Sequence, residues 1–397
     1  MMTQDNNQIV VYSTVWCPDC KRAKRFLGDQ RIPYVNIDIE HDPAAMAYVE
    51  RVNNGMRSIP TIIFPDGDIL VEPSNARLAE KLGLQTKARR TFYDAIVIGG
   101  GPAGLTAALY MAREGIETLV IEKAGMGGQA GSTNILENYP GFDEGVTGAE
   151  FAERLTRQAR RFDAEILQAQ EIVELFRYGP YWCVTTASGQ EYDAKAVLLT
   201  TGARYRRLGV PGEEHLLGTN IHFCATCDGA FYKNKKVLVI GGGNSGFEEG
   251  LFLTKFADQV DIVEIHPQPK ASQILQEQVA RKPKMTVTVD HEVKGFKGRN
   301  RLEAVLVEDR ATGEIKEWQY DGVFVFIGLT PNSNLVQDRV ETNPWGFIVT
   351  DKTLMCSVPG LFAAGDVREG STKQAASAAG EGATAALMIR EYLKQVG

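Results

Sequence analysis

Residues 95–104, AIVIGGGPAG, recur as residues 237–246, VLVIGGGNSG, an offset of 142 positions. Each copy is an apolar run ending in glycines at G-x-G-x-x-G spacing, Gly99, Gly101 and Gly104 in the first and Gly241, Gly243 and Gly246 in the second. A helical stretch follows, then a second apolar run that closes on a carboxylate. That carboxylate is Glu122 or Glu264, each 23 positions beyond the first glycine. The first glycine permits a tight strand-to-helix turn, the second lets main chain approach a diphosphate, and the third lets helix lie on strand. The helix start offers free N–H groups to the anion, and the carboxylate accepts from a ribose diol. One such turn is weak grounds. Two copies in the same context predict an α/β chain with two Rossmann-like dinucleotide sites, which suits a bound flavin dinucleotide and an exchanging nicotinamide dinucleotide.

Outward from the repeat, residues 361–366 (LFAAGD) read as another strand ending in Gly365 and Asp366, and a small-residue helix follows from Gln374 and Ala375. The N-terminal amides of such a helix stabilise negative charge on a reduced flavin ring. The same spacing also serves a helix that only packs closely. Upstream, residues 1–85 alternate strand and helix in a small α/β unit: IVVYST, then C-P-D-C opening a basic helix, YVNIDI, a second helix, TIIFP, a D-G turn and a last helix. The segment QTKARRT, Gln85 to Thr91, lacks apolar periodicity, so 86–91 is read as a linker. Seven extended residues reach only about 25 Å.

The chain has 397 residues, which predicts two to four domains; 44% hydrophobic and 23% charged residues exclude disorder, collagen and a stapled mini-protein. A net charge of −7 argues against a nucleic-acid or anionic-membrane footprint. The N-terminus MMTQDNNQIVVYSTVWC shows no secretory pattern, and no apolar run approaches about 20 residues, so a cytoplasmic location is expected. Four of the six cysteines form C-x-x-C pairs, Cys17/Cys20 and Cys224/Cys227. In a reducing compartment these mean thiol chemistry or metal. The pairs lie 207 positions apart without the flanking ligands of a zinc ribbon, so no metal is assigned. An iron–sulfur cluster at the N-terminal pair is kept as a minor alternative.

Cys17 precedes Pro18, a favoured first helical residue, and Lys21, Arg22, Lys24 and Arg25 add positive potential that favours a thiolate, against Asp19. Cys17 is therefore expected to attack and Cys20 to resolve the mixed disulfide. Asp228 directly follows Cys227, where thiol protons are delivered and removed. Cys183 and Cys356 read as buried packing residues. His222 and His266 are read as bystanders to the chemistry, His266 lying with Lys270 beside the second dinucleotide site.

At this point the residues match families. Residues 92–397 resemble bacterial low-molecular-weight thioredoxin reductases through GGGPAG, GGQ (Gly127 to Gln129), ENYPGF (Glu137 to Phe142), TTGA (Thr200 to Ala203), CATCDGA, GGGNSG and FAAGDV. Residues 8–84 are similar to glutaredoxins of the mycoredoxin-type branch, through WCPDC, SIPT and the following D-G turn. The resemblance implies a thioredoxin fold followed by two Rossmann-like domains. The FAD domain is split over 92–208 and 327–397, and the nicotinamide domain, 209–326, is inserted and rotates within a homodimer. It implies FAD contacts from Gly128, Gln129, Asn138, Thr201, Gly202, Asp366, Gln374 and Ala375 besides the first glycine turn and Glu122. It also implies Cys227 as the flavin-side sulfur, Cys224 as the exchanging one, Asp228 as acid/base, and Pro60 as the cis-proline beside which a substrate chain docks.

Thioredoxin reductases that use NADPH carry an H-R-R cluster where this chain has VEIHPQPK, with Glu264, Ile265, His266 and only Lys270 basic. A carboxylate beside a 2′-phosphate costs about 1–4 kcal/mol per charge pair at 4 Å, so NADH is expected over NADPH. The segment looks like the alkyl hydroperoxide reductase flavoprotein subunit, which also has an N-terminal thioredoxin-fold module. The expected enzyme passes electrons from NADH through FAD and Cys224/Cys227 to Cys17/Cys20, and on to a protein or mixed disulfide. A thioredoxin-like to glutaredoxin-like transfer is downhill by about 1.9 kcal/mol. The alternatives are direct reduction of a separate thioredoxin or peroxiredoxin with the N-terminal unit as a docking module, and an N-terminal iron–sulfur carrier or sensor.

Overall fold

The computed structural model describes residues 8–396 apart from Asn134 and Glu137, and the backbone alone for Thr226 and Cys227. The N-terminal unit runs β1 (Ile9–Ser13), α1 (Pro18–Asp29), β2 (Tyr34–Asp38), α2 (Pro43–Val52), β3 (Thr61–Ile63), β4 (Ile69–Val71) and α3 (Asn75–Lys81). Its sheet order is β2-β1-β3-β4, with β1 parallel to β2 and antiparallel to β3. Val11, Leu27, Ile62 and Leu78 form its core. Local chemistry sets the helix starts: Pro43 follows an Asp42 cap, and Ser74 caps α3.

The first glycine turn joins β5 (Phe92–Ile98) to α4 (Pro102–Arg113), and β6 (Thr118–Ile121) follows. β5 lies between β6 and the strand Glu191–Leu199, parallel to both, and Leu361–Ala363 pairs with the far part of Glu191–Leu199. Buried on both faces, β5 reads as a continuous apolar run rather than an alternating one. The second turn sits on Lys236–Ile240 at the centre of a five-stranded sheet whose pairings are all parallel. Ala203–Tyr205 and Leu329–Pro331 pair antiparallel, forming a two-stranded ribbon beside the two chain passages between these sheets. The helix Ala375–Val396 crosses α4 so closely that a Cβ on Gly382 would stand 2.1 Å from Ala103 O. Its small residues therefore have a packing reason. Among the described residues no helix is long and apolar enough to cross a membrane.

The linker is strapped down rather than free. Buried Glu165 accepts from Gln85 Nε2 at 2.8 Å, Arg89 N at 2.7 Å and Tyr93 OH at 2.7 Å. Gln168 N donates to Gln85 O at 2.8 Å, and Arg90 pairs with Glu117. A carboxylate 72 residues or more from its partners leaves no trace in local sequence. Hydrogen bonds to a charged group are worth about 1.5–3 kcal/mol each, so Glu165→Ala should free the strap. Trypsin should then cut at Lys87, Arg89 or Arg90 at least about tenfold faster than in the wild type. Equal cleavage rates would mean that Glu165 is not the anchor.

Candidate functional site

The first glycine turn is built from its own main chain. Gly99 has φ +112°, and a Cβ there would come 2.4 Å from Thr200 O; a Cβ on Gly104 would come 2.0 Å from Gly99 O. These two glycines are required by the fold itself. A Cβ on Gly101 meets only Gly128 Cα, at 3.9 Å, so the middle position leaves room for something to approach. Glu122 closes the turn: its Oε2 accepts Gly100 N at 2.6 Å and its Oε1 accepts Ala124 N at 2.7 Å. Each oxygen keeps a second lone pair for another donor.

The remaining residues expected around the first turn come from four separate stretches. Gln129 Nε2 donates to Ala203 O, Thr201 Oγ1 to Asn332 O at 2.7 Å, and Asn138 Nδ2 to Gln374 Oε1 at 3.0 Å. Gly202 has φ +70°, and Ala375 opens the last helix. Gly365 packs against Ala103 and Ala378, which brings Asp366 to the place where the starts of two helices meet. Asp366 Oδ1 is buried without a partner, and burial raises its pKa while Lys373 opposes the rise. An open glycine at a helix start, a carboxylate at the second strand and an unsatisfied buried acceptor together fit a dinucleotide that brings a diphosphate and hydroxyl groups.

The second turn repeats the first. Gly241 has φ +121° with Phe326 O 2.4 Å from its would-be Cβ, a Cβ on Gly246 would stand 1.9 Å from Gly241 O, and Gly243 has nothing within 4 Å. Glu264 is buried; its Oε2 accepts Gly242 N at 2.5 Å and its Oε1 accepts His266 N at 2.9 Å. Lys270 N donates to Gly242 O at 2.9 Å. One cation here is missing from the sequence reading. Arg310 donates to Ile265 O at 2.8 Å and stands 3.6 Å from Asp290. It arrives from the turn of a separate antiparallel sheet, so nothing near Glu264 announces it.

Cys224 is half-buried and disulfide-bonded, and Asp228 N closes one helical turn on Cys224 O at 3.1 Å. The expected Cys227 sulfur lies outside the described residues. His222, read as a bystander, is instead a buried partner of Asp228. Its Nδ1 lies 3.2 Å from Asp228 Oδ2, and its Nε2 lies 2.7 Å from Tyr232 OH. The strand Ile221–His222 aims the ring inward, a placement that sequence proximity alone does not specify.

Tyr205, on the ribbon between the sheets, stacks on Phe223 at 5.1 Å and 16°. Burial lifts its pKa to about 12, and the charges of Asp366, Glu249 and Asp228 add to the rise. The charges of carboxylates from both sheets thus act on one phenol beside the C-A-T-C segment. Glu249 is a second residue absent from the sequence reading. Its Oε2 is buried without a partner, and burial, aided by Glu248, raises its pKa. Two adjacent acids among the apolar residues of the helix Asn244–Leu253, after its opening Asn244 and Ser245, were the available signal.

In the N-terminal unit Cys17 caps α1. Cys20 N donates to Cys17 Sγ at 3.0 Å, and the Cys17 thiol reaches Ile59 O at 3.7 Å beside the cis Ile59–Pro60 peptide. Burial, and then the contact with Cys17, push Cys20 up to about 12. Of the four cations expected to help, Arg22 pairs with Asp19 and Arg25 with Asp29, which leaves Lys21 and Lys24, and of these Lys24 acts on Cys20. Val15 and Trp16 are strongly exposed beside the buried sulfurs. Cys183 and Cys356 are buried, each thiol pushed up to about 12 by burial. Among the described residues no cluster of three potential metal ligands occurs.

Comparison with known proteins gives two family matches: pyridine nucleotide-disulphide oxidoreductase over residues 93–382 and glutaredoxin over residues 9–69. A thioredoxin reductase of Bacillus subtilis is 40% identical over 307 residues, covering 77% of this chain and 96% of its own. A bifunctional thioredoxin reductase/thioredoxin of Mycobacterium leprae is 41% identical over 309 residues, 78% of this chain and 67% of its own. Among solved structures, thioredoxin reductase of Streptococcus pyogenes superposes with a TM-score of 0.72 at 38% identity, covering 77% of this chain and 99% of that one. Lactococcus lactis thioredoxin reductase, described as an FR conformation, gives 0.55 at 35% identity over 76% and 99%.

The raised pKa of Glu249 fixes a sign. A carboxyl whose folded pKa lies above its unfolded value near 4.5 destabilises the fold increasingly as pH rises from there through the folded pKa. Glu249→Gln should therefore raise Tm over wild type by a margin that widens between pH 5 and pH 8. A margin that is flat or shrinking with pH contradicts this account.

Proposed function

The chain belongs to the pyridine nucleotide-disulphide oxidoreductase family, and from that premise we propose an NADH-linked disulfide reductase in which Cys224 and Cys227 reduce Cys17 and Cys20. Those in turn reduce a protein disulfide or mixed disulfide outside the chain. A flavin dinucleotide fits the first turn, held by Gly99, Gly101, Gly104, Glu122 and Asp366, and when bound it supplies the two-electron step between nicotinamide and disulfide. The neighbourhood of Tyr205 supports a C-A-T-C segment that faces this site. The weaker superposition on the FR conformation supports an arrangement of the two sheets other than that one.

The Cys224 thiolate attacks the oxidised Cys17–Cys20 pair, and the displaced thiolate takes up a proton. Cys227 then closes on Cys224 and releases the second thiolate. Asp228 gives and takes these protons, positioned by His222 and Tyr232. The observation that carries the relay is the contrast between the two N-terminal sulfurs. Both sulfurs are buried, but Cys17 receives a helix N–H and lies beside the backbone edge before Pro60, as an attacking sulfur should, while Cys20 has its proton firmly held, as a resolving one should. The twelve residues of α1 separate Cys17 by about 18 Å from the helix end that docks on the first Rossmann unit. The exchange therefore needs the C-A-T-C unit to swing, within one chain or across a homodimer. NADH preference rests on Glu264, whose carboxylate would repel a 2′-phosphate, while Arg310 is partly neutralised by Asp290.

Cys17→Ser with Cys20→Ser should abolish turnover of glutaredoxin-type disulfide substrates, by at least about 100-fold. The same variant should still yield two new thiols per chain on reduction with NADH. Undiminished turnover in that variant would refute the relay and favour direct reduction from Cys224/Cys227. The kcat/KM ratio should favour NADH over NADPH by about tenfold or more, and a ratio below one would overturn the cofactor assignment.

A further inference from the structure

The end of α1 remote from Cys17 enters the first dinucleotide site. Asp29 O accepts Gly125 N at 2.8 Å, Gln30 Nε2 donates to Lys123 O at 2.9 Å, and Arg31, in a left-handed turn at φ +56°, projects between them. Its Nη1 donates to Met126 O at 2.6 Å and its Nη2 to Gly128 O. Two glycines make the slot. A Cβ on Gly131 would lie 2.3 Å from Arg31 Nη1, and a Cβ on Gly125 would meet Arg31 Cδ and Cγ at 3.0 Å and Nε at 3.2 Å. Gly128 in turn rests on Gly101, the middle glycine of the turn: a Cβ on Gly128 would lie 3.1 Å from Gly101 Cα.

Both contacts are to neutral carbonyls. Among the described residues no carboxylate lies within ion-pair distance of Arg31, and Glu122, which it feels electrostatically, spends its oxygens on Gly100 N and Ala124 N. A fork-shaped cation with donors to spare therefore stands beside a helix start that is itself open at Gly101. Guanidinium pairs with phosphate through two parallel hydrogen bonds. We propose that Arg31 is a cofactor ligand supplied by the glutaredoxin-like unit, its guanidinium facing the diphosphate of the dinucleotide on the first glycine turn. Occupancy of that site and seating of the N-terminal unit are then coupled, and each strengthens the other equally. This rests on the reading of a flavin dinucleotide at that turn.

The experiment titrates full-length apoprotein with FAD, following flavin fluorescence. Arg31→Ala should weaken binding by about 10- to 100-fold, the worth of a charge-assisted hydrogen bond. Arg31→Lys should fall between, keeping the charge without the fork. Gly125→Ala, whose added methyl meets Arg31 first, should weaken binding in the same direction. Gln30→Ala, which removes a docking hydrogen bond and no charge, should bind FAD within about twofold of wild type. The assignment is overturned if Arg31→Ala binds as wild type does, or if Gln30→Ala loosens FAD as much as Arg31→Ala, since seating alone would then matter. Wild-type protein that takes up no FAD overturns the flavin reading along with it, which separates the two failures.

Discussion

In both Rossmann units a carboxylate at the end of the second strand reaches back 22 residues to accept the N–H of the residue after the first glycine. That single hydrogen bond ties the second strand to the turn and sets the path along which main-chain N–H groups face a diphosphate. Each carboxylate also takes a second N–H two residues beyond itself, so the loop that follows the strand is folded by the same group. Remove the charge and an unpaired N–H remains inside the turn, a cost of about 1–3 kcal/mol before any cofactor is considered. The acid is thus a structural clamp on the turn in its own right.

Everything attached to the two clamps follows their geometry. The ribbon of Ala203–Tyr205 and Leu329–Pro331 joins segments of the two sheets, and the buried Tyr205 on it feels the charges of Asp366 on one side and of Glu249 and Asp228 on the other. Two of these acids, Asp366 and Glu249, each carry a buried oxygen without a partner, which is costly. Such groups concentrate where protons and redox charge move. The His222 bridge from Asp228 to Tyr232 belongs with them, because it holds an acid beside the C-A-T-C turn at a fixed angle.

The N-terminal unit is joined by more than a tether. Glu165 straps the linker, and the Asp29–Arg31 corner is set into the loop that follows Glu122. One end of α1 is therefore committed to the first dinucleotide site, while the other presents Cys17 among exposed Val15 and Trp16. A helix held at its far end leaves the exposed Val15 and Trp16 beside its sulfur end free of that docking contact.

The glycine repeat, its two acids, both C-x-x-C pairs and the cap before Pro18 were readable because each depends on residues close in sequence, whose spacing follows from turn and helix geometry. Asp228 and Asp366 were readable from their places after Cys227 and at the end of LFAAGD, and the family resemblance implied their roles. His222, Glu249, Arg310 and Arg31 were decided only by the tertiary structure. Each acts across a contact between elements whose approach is fixed by sheet order and domain packing, and one histidine, acid or arginine among many carries no local mark of where its neighbours will lie. Local periodicity and spacing determined which elements form and where the two glycine turns lie. The long-range packing of those elements decided which charged groups lie near the C-A-T-C turn and which arginine reaches the loop beside the first glycine turn.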